Sequence, residues 1–183
     1  MRVAGGWPVR YAGRATFAAA AALTVAACGL EAPQGPPRAG DPLPEMTAVD
    51  LQGREVRLAD YEGRAVLLNL WATWCPPCRA EMPYLQELQD RFGDQGLSVV
   101  GISVDDSGAR RQLDQFLAES GVEYDILLDP DMDSMDLLGV LGLPATLLVD
   151  AEGVVKLFRT GPISEEDQRF VDAVRALLPG ADG

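Results

Sequence analysis

The chain has 183 residues, 48% of them hydrophobic, and it carries a formal net charge of −13 with no histidine. This length suits one domain with its own core, and the negative charge argues against nucleic-acid binding and excludes membrane attachment through a basic patch. Without histidine, Ser-His and Cys-His catalysis and histidine metal sites are excluded, and we predict no metal site.

Residues 1–27 have the pattern of an export signal. Three arginines make a basic start, and residues 15–27 form an uncharged, mostly alanine run that is too short to span a bilayer comfortably. The small residues directly before Cys28 resemble a bacterial lipobox, which implies a diacylglyceryl group on Cys28 and cleavage of the chain before it. The alternative is an ordinary signal peptide that is cut nearby, with Cys28 incidental.

Residues 28–43 are rich in proline and glycine and show no hydrophobic periodicity. This composition predicts a tether between the lipid and a folded domain that spans residues 44–180. An ordered arm that packs on the domain is the alternative interpretation of the same segment.

The first half of the domain alternates between predicted strands and helices. A hairpin is predicted around Gln52-Gly53, and the unbroken apolar run 65–71 predicts a strand buried on both faces. A helix is predicted over residues 76–92, because its apolar positions recur every three or four residues and Gly93 follows them. Residues 97–104 form the next predicted strand.

The second half continues the alternation. Helices are predicted over residues 107–120 and 131–140, and strands over residues 124–129, 144–150 and 154–159. A last helix is predicted from Ser164, as its N-cap, to Leu178. This order of elements predicts an α/β fold with a central mixed sheet flanked by helices.

Cys75 and Cys78 lie at the junction between a predicted buried strand and a predicted helix. The helix N-terminus offers free N–H groups and partial positive charge, which favour the thiolate form of Cys75. Cys78 is one turn further on, where it can attack a mixed disulfide formed at Cys75, and it lies on the apolar stripe of the helix. We therefore expect Cys75 to be the exposed attacking thiol and Cys78 to be the buried resolving thiol.

Three other interpretations of the cysteine pair are weaker. A structural disulfide would stabilise the fold little, because so short a loop removes little entropy from the unfolded chain. A zinc half-site would need histidine or a second cysteine pair. Two inert buried thiols stay open as an interpretation, although Pro76 and Pro77 place the pair at a helix start and not in mid-core.

The stretches NLWATWCPPCRAEMP and GLPATLLVDAEG resemble the thioredoxin superfamily. The closer resemblance is to its TlpA/ResA-like branch, the membrane-attached thiol–disulfide oxidoreductases that work outside the cytoplasm. It spans residues 44–178 and implies a thioredoxin-like fold, here with an N-terminal β-hairpin and a helix-containing insertion over residues 107–141. It also implies that Pro144, after Leu143, is a cis-proline that packs beside the cysteines and helps to hold an extended partner chain; a trans proline at the start of a strand is the alternative.

Glu81 lies three residues after Cys78 and shares with it the inward side of the predicted helix. A carboxylate there can accept the proton that Cys78 loses when it attacks, and burial would raise the pKa of Glu81 towards neutrality. The resemblance assigns a glutamate at this place to tuning the thiols. Asn69 cannot ionise at the strand position where thioredoxin commonly has an aspartate. The alternative is a solvated acid that favours the helix dipole.

Trp74 directly precedes Cys75 and is expected to form an exposed lip for partners, whereas Trp71 fills the core. The candidate client-binding residues are Trp74, Pro76, Pro77, Leu143 and Pro144.

Pro76 and Pro77 have no N–H group, so Cys75 receives fewer thiolate hydrogen bonds than other residues could supply. The pKa of Cys75 should then fall less than in a strong oxidase, which favours a disulfide reductase. The resemblance implies the same activity on protein clients, with apocytochrome c as one client and a membrane thiol carrier as electron donor. No cofactor is expected besides the Cys75–Cys78 disulfide. A thiol peroxidase and a redox-inactive client-binding module are the alternatives.

Overall fold

The computed structural model describes residues 35–180. The strands are β1 (Thr47–Asp50), β2 (Glu55–Arg57), β3 (Ala65–Trp71), β4 (Leu97–Ser103), β5 (Asp125–Leu128), β6 (Ala145–Val149) and β7 (Val155–Thr160). The α-helices are α1 (Pro76–Phe92), α2 (Arg110–Ser120), α3 (Asp133–Leu137) and α4 (Gln168–Arg175). Within residues 35–180, no helix has the length and apolar character needed to cross a bilayer.

The strands form one mixed sheet in the order β2-β1-β5-β4-β3-β6-β7. β3 pairs in parallel with β4, and β4 with β5, while β6 runs antiparallel to β3. The ends of β3, β4 and β5 therefore meet the start of β6 at one edge of the sheet. This architecture confirms the predicted α/β class and central mixed sheet.

β3 is the central strand, and all seven of its residues are buried. Leu67 and Trp71 pack in a cluster with Met82 and Leu85 of α1, whereas Leu68 packs in a second cluster on the other face of the sheet. Because both faces are covered, the strand needs an apolar sequence throughout. The strand thereby holds its last residue, and the loop after it, in a fixed place.

The predicted start of the last helix is wrong. The helix α4 begins at Gln168, and its N-cap is Asp167, whose carboxylate accepts a hydrogen bond from Phe170 N. Ser164 lies instead in a turn in which its carbonyl accepts from Asp167 N at 3.0 Å. Arg159 of β7 also pairs with Asp167, which holds that residue at the helix start.

The predicted domain boundary at residue 44 is too late, because residues 35–43, here called the N-terminal arm, pack on the domain. Gly40 N donates to Val155 O at 2.8 Å, and Leu43 N donates to Gly153 O at 2.8 Å. The arm also approaches Gly139, where an added Cβ would lie 2.5 Å from the backbone of Gly35. Residues 1–34 lie outside the described residues. They include the export signal, Cys28 and the first part of the predicted tether.

Candidate active site

The cysteine pair lies where β3 passes into α1. A turn from Ala72 to Cys75, closed by a 3.1 Å hydrogen bond from Cys75 N to Ala72 O, joins the two elements. Cys75 is the N-cap of α1, and its Sγ accepts a hydrogen bond from Cys78 N at 3.3 Å. Pro76 and Pro77 occupy the first two positions of the helix and have no N–H group to offer. The sulfur of Cys75 therefore lies at the positive end of the helix with one backbone donor.

Cys75 and Cys78 are joined by a disulfide bond, with their Cα atoms 5.3 Å apart. Cys78 is fully buried, as predicted, but Cys75 is only 5% exposed. The expectation of an exposed Cys75 is therefore wrong in degree for this disulfide form, because Cys75 packs in the same apolar cluster as Cys78. Cys75 is still the more accessible of the two residues, as an attacking residue should be.

Glu81 lies inside the protein, with 2% of its surface exposed. Asn69 Nδ2 donates to Glu81 Oε1 at 2.9 Å, and Ile163 N donates to Oε2 at 2.8 Å. Burial raises the pKa of Glu81 to about 7, although these two hydrogen bonds and the charge of Arg159 pull it down. The predicted burial and raised pKa are confirmed, and the solvated-acid alternative does not fit this residue.

The Leu143–Pro144 peptide bond is cis, as the resemblance implies. Because Leu70 of β3 pairs with Ala145, Pro144 lies across from the end of β3, at the sheet edge from which Cys75 emerges. Leu143 is half-buried and packs against the apolar cluster that contains the cysteines. This placement brings Leu143 and Pro144 to the same edge as the cysteine pair.

Trp74 is 61% exposed beside the pair, whereas Trp71 is fully buried, so both predicted placements are confirmed. A groove of about 430 Å³ runs from Trp74 along α2, and Arg79 and Phe116 lie in its wall. The Arg79 guanidinium stacks over the Phe116 ring, 4.9 Å from its centroid. Trp74 therefore stands as a lip over a groove that a client chain can contact.

Sequence reasoning missed Asp105, which follows β4 at this same sheet edge. Its carboxylate accepts hydrogen bonds from Thr73 N and Thr73 Oγ1, in the turn before Cys75. The available signal was the position of an acid directly after a buried strand that neighbours β3, since the ends of parallel strands meet at one edge.

Comparison with known proteins agrees with this geometry. Residues 39–158 match the model of the AhpC/TSA family. A protein named thiol-disulfide oxidoreductase ResA from Geobacillus thermodenitrificans is 38% identical over 128 residues, which cover 70% of this chain and 72% of that protein. The protein of the same name from Bacillus subtilis is 34% identical over 141 residues, which cover 77% of this chain and 76% of that protein.

Two solved structures share the fold and come from thiol–disulfide exchange proteins. A Chlorobium tepidum protein assigned as a thiol:disulfide interchange protein DsbE has a TM-score of 0.72 and 29% identity, covering 77% of this chain and 98% of that chain. The thioredoxin domain of a Bacteroides vulgatus thiol-disulfide oxidoreductase has a TM-score of 0.65 and 27% identity, covering 74% of this chain and 96% of that chain.

The site and the relatives point to the same chemistry. A disulfide at a helix start suits thiol–disulfide exchange, and the similar proteins are named for that reaction. Neither inert thiols nor a redox-inactive module fits this combination. The chain belongs to the AhpC/TSA family of the thioredoxin superfamily, among its ResA-like thiol–disulfide oxidoreductases.

Proposed function

We propose that this protein is a protein-disulfide reductase that works outside the cytoplasm. The observation that carries the proposed direction is the helix start. Within residues 35–180, Cys75 Sγ accepts a hydrogen bond from Cys78 N alone, because Pro76 and Pro77 have no N–H group. A pair whose reduced form gains little from thiolate hydrogen bonds gives up its electrons more readily than a strong oxidase does.

In the first step, the Cys75 thiolate attacks one sulfur of a client disulfide. A bond forms between Cys75 Sγ and that sulfur, the client S–S bond breaks, and the other client sulfur leaves as a thiolate. In this proposal the client chain contacts five residues near the pair, namely Trp74, Pro76, Pro77, Leu143 and Pro144. The groove beside Trp74 supports this assignment, because it gives an extended client a surface to contact next to Cys75.

In the second step, Cys78 attacks Cys75 Sγ and forms the intramolecular disulfide. The Cys78 thiol gives its proton to the Glu81 carboxylate, and the second client sulfur leaves as a thiolate, so two electrons pass from the pair to the client. A group with a pKa of about 7 is suited to both accept and release this proton near neutral pH. A membrane thiol carrier would then reduce the Cys75–Cys78 disulfide and reset the enzyme.

Serine variants of the two cysteines test the roles. Cys75→Ser should abolish both client reduction and mixed-disulfide formation, because no nucleophile is left for the first step. Cys78→Ser should accumulate mixed disulfides with clients, since the first step proceeds and the second cannot. Faster alkylation of Cys78 than of Cys75 in the reduced protein near neutral pH would reverse the assignment.

The client class is part of the proposal, with apocytochrome c as one client on the strength of the family resemblance. Mixed disulfides trapped in cells with Cys78→Ser would identify the partners directly. Recovery of only non-cytochrome partners would remove apocytochrome c from the proposal and leave the reductase activity in place. Peroxide consumption by the purified protein measures the thiol-peroxidase alternative, and a rate matching that of disulfide reduction would favour it.

We also infer that Cys28 carries a lipid that anchors the protein to the outer face of a bacterial membrane. Small residues directly before Cys28 support this inference, and the Cys75–Cys78 pair accounts for the other two cysteines of the sequence. Cys28→Ala should release the protein from membranes or leave its signal uncleaved, because the variant has no thiol to carry the lipid. Two acyl chains on Cys28 would anchor the protein far more firmly than one chain does. A mature protein with an unmodified N-terminus downstream of Cys28 would contradict the inference.

A further inference from the structure

A buried carboxylate lies at the end of β4, beside the strand that leads to the cysteines. Asp105 is 6% exposed. Its Oδ1 accepts a hydrogen bond from Thr73 Oγ1 at 2.6 Å, and its Oδ2 accepts from Thr73 N at 2.9 Å and from Ser103 Oγ at 2.8 Å. Both polar donors of Thr73 thus bond to one side chain, which lies just after the neighbouring strand β4.

Thr73 is the second residue of the turn that ends at Cys75, which a hydrogen bond from Cys75 N to Ala72 O closes. The next residue, Trp74, is 61% exposed and gives the turn little packing of its own. The carboxylate of Asp105 accepts from both donors of Thr73, so it ties this turn to the end of β4 across 32 residues of sequence.

We propose that Asp105 is a positioning residue for Cys75, because it fixes, through Thr73, the turn that places Cys75 Sγ at the N-cap of α1. The inference rests on thiol chemistry at Cys75, and it is independent of the direction of electron flow and of the client. By holding the turn, Asp105 keeps Cys75 Sγ aligned with Cys78 N, which lies 3.3 Å away. A hydrogen bond weakens steeply when its geometry is lost, so a loose turn would leave the Cys75 thiolate less stabilised.

Positioning and direct electrostatics predict opposite effects at Cys75. A nearby negative charge disfavours a thiolate, so if Asp105 acted by its charge, removing that charge would lower the pKa of Cys75. If Asp105 acts by holding the turn, the same change misaligns the N-cap and raises the pKa of Cys75. The sign of the change therefore separates the two roles.

The test measures the pKa of Cys75 in the reduced protein, from its alkylation rate against pH. Asp105→Asn keeps a single acceptor oxygen for the two donors of Thr73, and Thr73→Val removes the hydroxyl without changing any charge. For both variants we expect the pKa to rise and alkylation at pH 7 to slow by about threefold to tenfold, the scale of an ordinary hydrogen bond, because the bond from Cys78 N to Cys75 Sγ is weakened and not removed.

Two matched variants complete the test. Thr73→Ser keeps both donors and should keep the wild-type alkylation profile. Ser103→Ala removes a donor to Asp105 Oδ2 and the acceptor of Asp105 N, so it loosens Asp105 and should raise the pKa of Cys75 by less than Asp105→Asn does. A lowered pKa of Cys75 in Asp105→Asn would overturn the proposal in favour of a charge effect. An unchanged pKa in Thr73→Val, with only the melting temperature lowered, would overturn it in favour of a purely structural role. Alkylation needs no client, so failure here is distinct from failure of the reductase proposal.

Discussion

In the proposed mechanism, the second chemical step depends on Glu81. It lies buried on the same helix as Cys78, and the strand position beneath it holds Asn69, which cannot take a proton. Asn69 Oδ1 has no hydrogen-bond partner among residues 35–180. Rotation of that amide would let Oδ1 accept from a protonated carboxyl group, or from a side-chain amide introduced at position 81. The site can therefore accommodate a neutral side chain at this position.

Replacement of Glu81 by glutamine tests its role as proton acceptor. In Glu81→Gln, attack by Cys75 should change modestly, whereas resolution by Cys78 should slow by roughly 10- to 1,000-fold, the range for loss of a positioned base. The deficit should shrink as pH rises, because hydroxide then deprotonates Cys78 without help. Stopped-flow experiments at several pH values measure the rates of both steps. An unchanged resolution rate at pH 7 would show that Glu81 is not the proton acceptor.

Glu81 should also leave a signature in the pH dependence of stability. Its pKa is raised from 4.5 to about 7 in the folded protein, so between these values the folded state binds more protons than the unfolded chain does. The stabilisation is complete below pH 4.5 and is lost as pH rises through 7, with a total of about 3 kcal/mol from the pKa difference.

Urea unfolding of the disulfide form at pH 4.5 and at pH 8 measures this loss, with Glu81→Gln as the control. The lowered pKa values of Asp50 and Asp150 act in the opposite sense in both proteins, so the difference between the two proteins isolates Glu81. Parallel stability curves for wild type and variant would contradict the raised pKa.

At the scale of the element, we expect the start of α1 to set the reduction potential of the cysteine pair. Pro77 stands at the second helical position, whose N–H is one of the two that an N-cap side chain ordinarily accepts. Pro77→Ala would supply that N–H to Cys75 Sγ and stabilise the thiolate. We expect the reduction potential to rise by about 30 mV or more, which corresponds to one added hydrogen bond to a charged sulfur.

Pro83 offers a matched control in the same helix. It is exposed and lies inside α1, away from the N-cap, so Pro83→Ala can change helix stability but supplies no donor to Cys75. Equilibration of each variant with glutathione gives the potentials. Equal shifts in Pro77→Ala and Pro83→Ala would show that the effect comes from the helix as a whole and not from the N-cap.

The elements also show which parts of the molecule the sequence predicts. The limits of α1 depend on local signals, namely a proline start, an apolar period and Gly93, and the predicted limits match the structure. The start of α4 depends on contacts with residues outside the helix. Arg159 of β7 pairs with Asp167, the N-cap, and Ile163 N donates to the carboxylate of Glu81, 82 residues away in sequence. Thr73 and Asp105 are 32 residues apart in sequence, so no local pattern predicts their contact. Local periodicity carries no information about such pairings.

At the scale of the whole molecule, the N-terminal arm is attached at Gly139. This glycine has φ +58°, and an added Cβ would lie 2.5 Å from the Gly35 carbonyl carbon and 2.6 Å from Pro36 N. Gly139→Ala should displace the arm and lower the free energy of unfolding by about 1–3 kcal/mol. Faster amide exchange at Gly40 and Leu43, which donate to β7 and to the turn before it, measures the displacement.

Gly142 provides the control, because it lies three residues further along the same loop with no atom within 4 Å of an added Cβ. Gly142→Ala should leave exchange in the arm unchanged. If the arm amides exchange equally slowly in both variants, the contact at Gly139 does not hold the arm. The predicted tether boundary failed at this point because a proline- and glycine-rich composition does not report on pairing with a distant strand.

If Cys28 carries a lipid, the ordered arm shortens the segment that links the domain to the membrane. Since residues 35–43 belong to the domain, only residues 28–34 would separate it from a lipid on Cys28, and seven residues reach about 25 Å when fully extended. A domain confined to so thin a layer would search for clients in two dimensions, at a high effective concentration of anything in the same membrane. Clients that are held at that surface would be reduced far more often than clients in the surrounding fluid. The enzyme would then supply electrons along the membrane surface and not as a carrier that diffuses through the surrounding fluid.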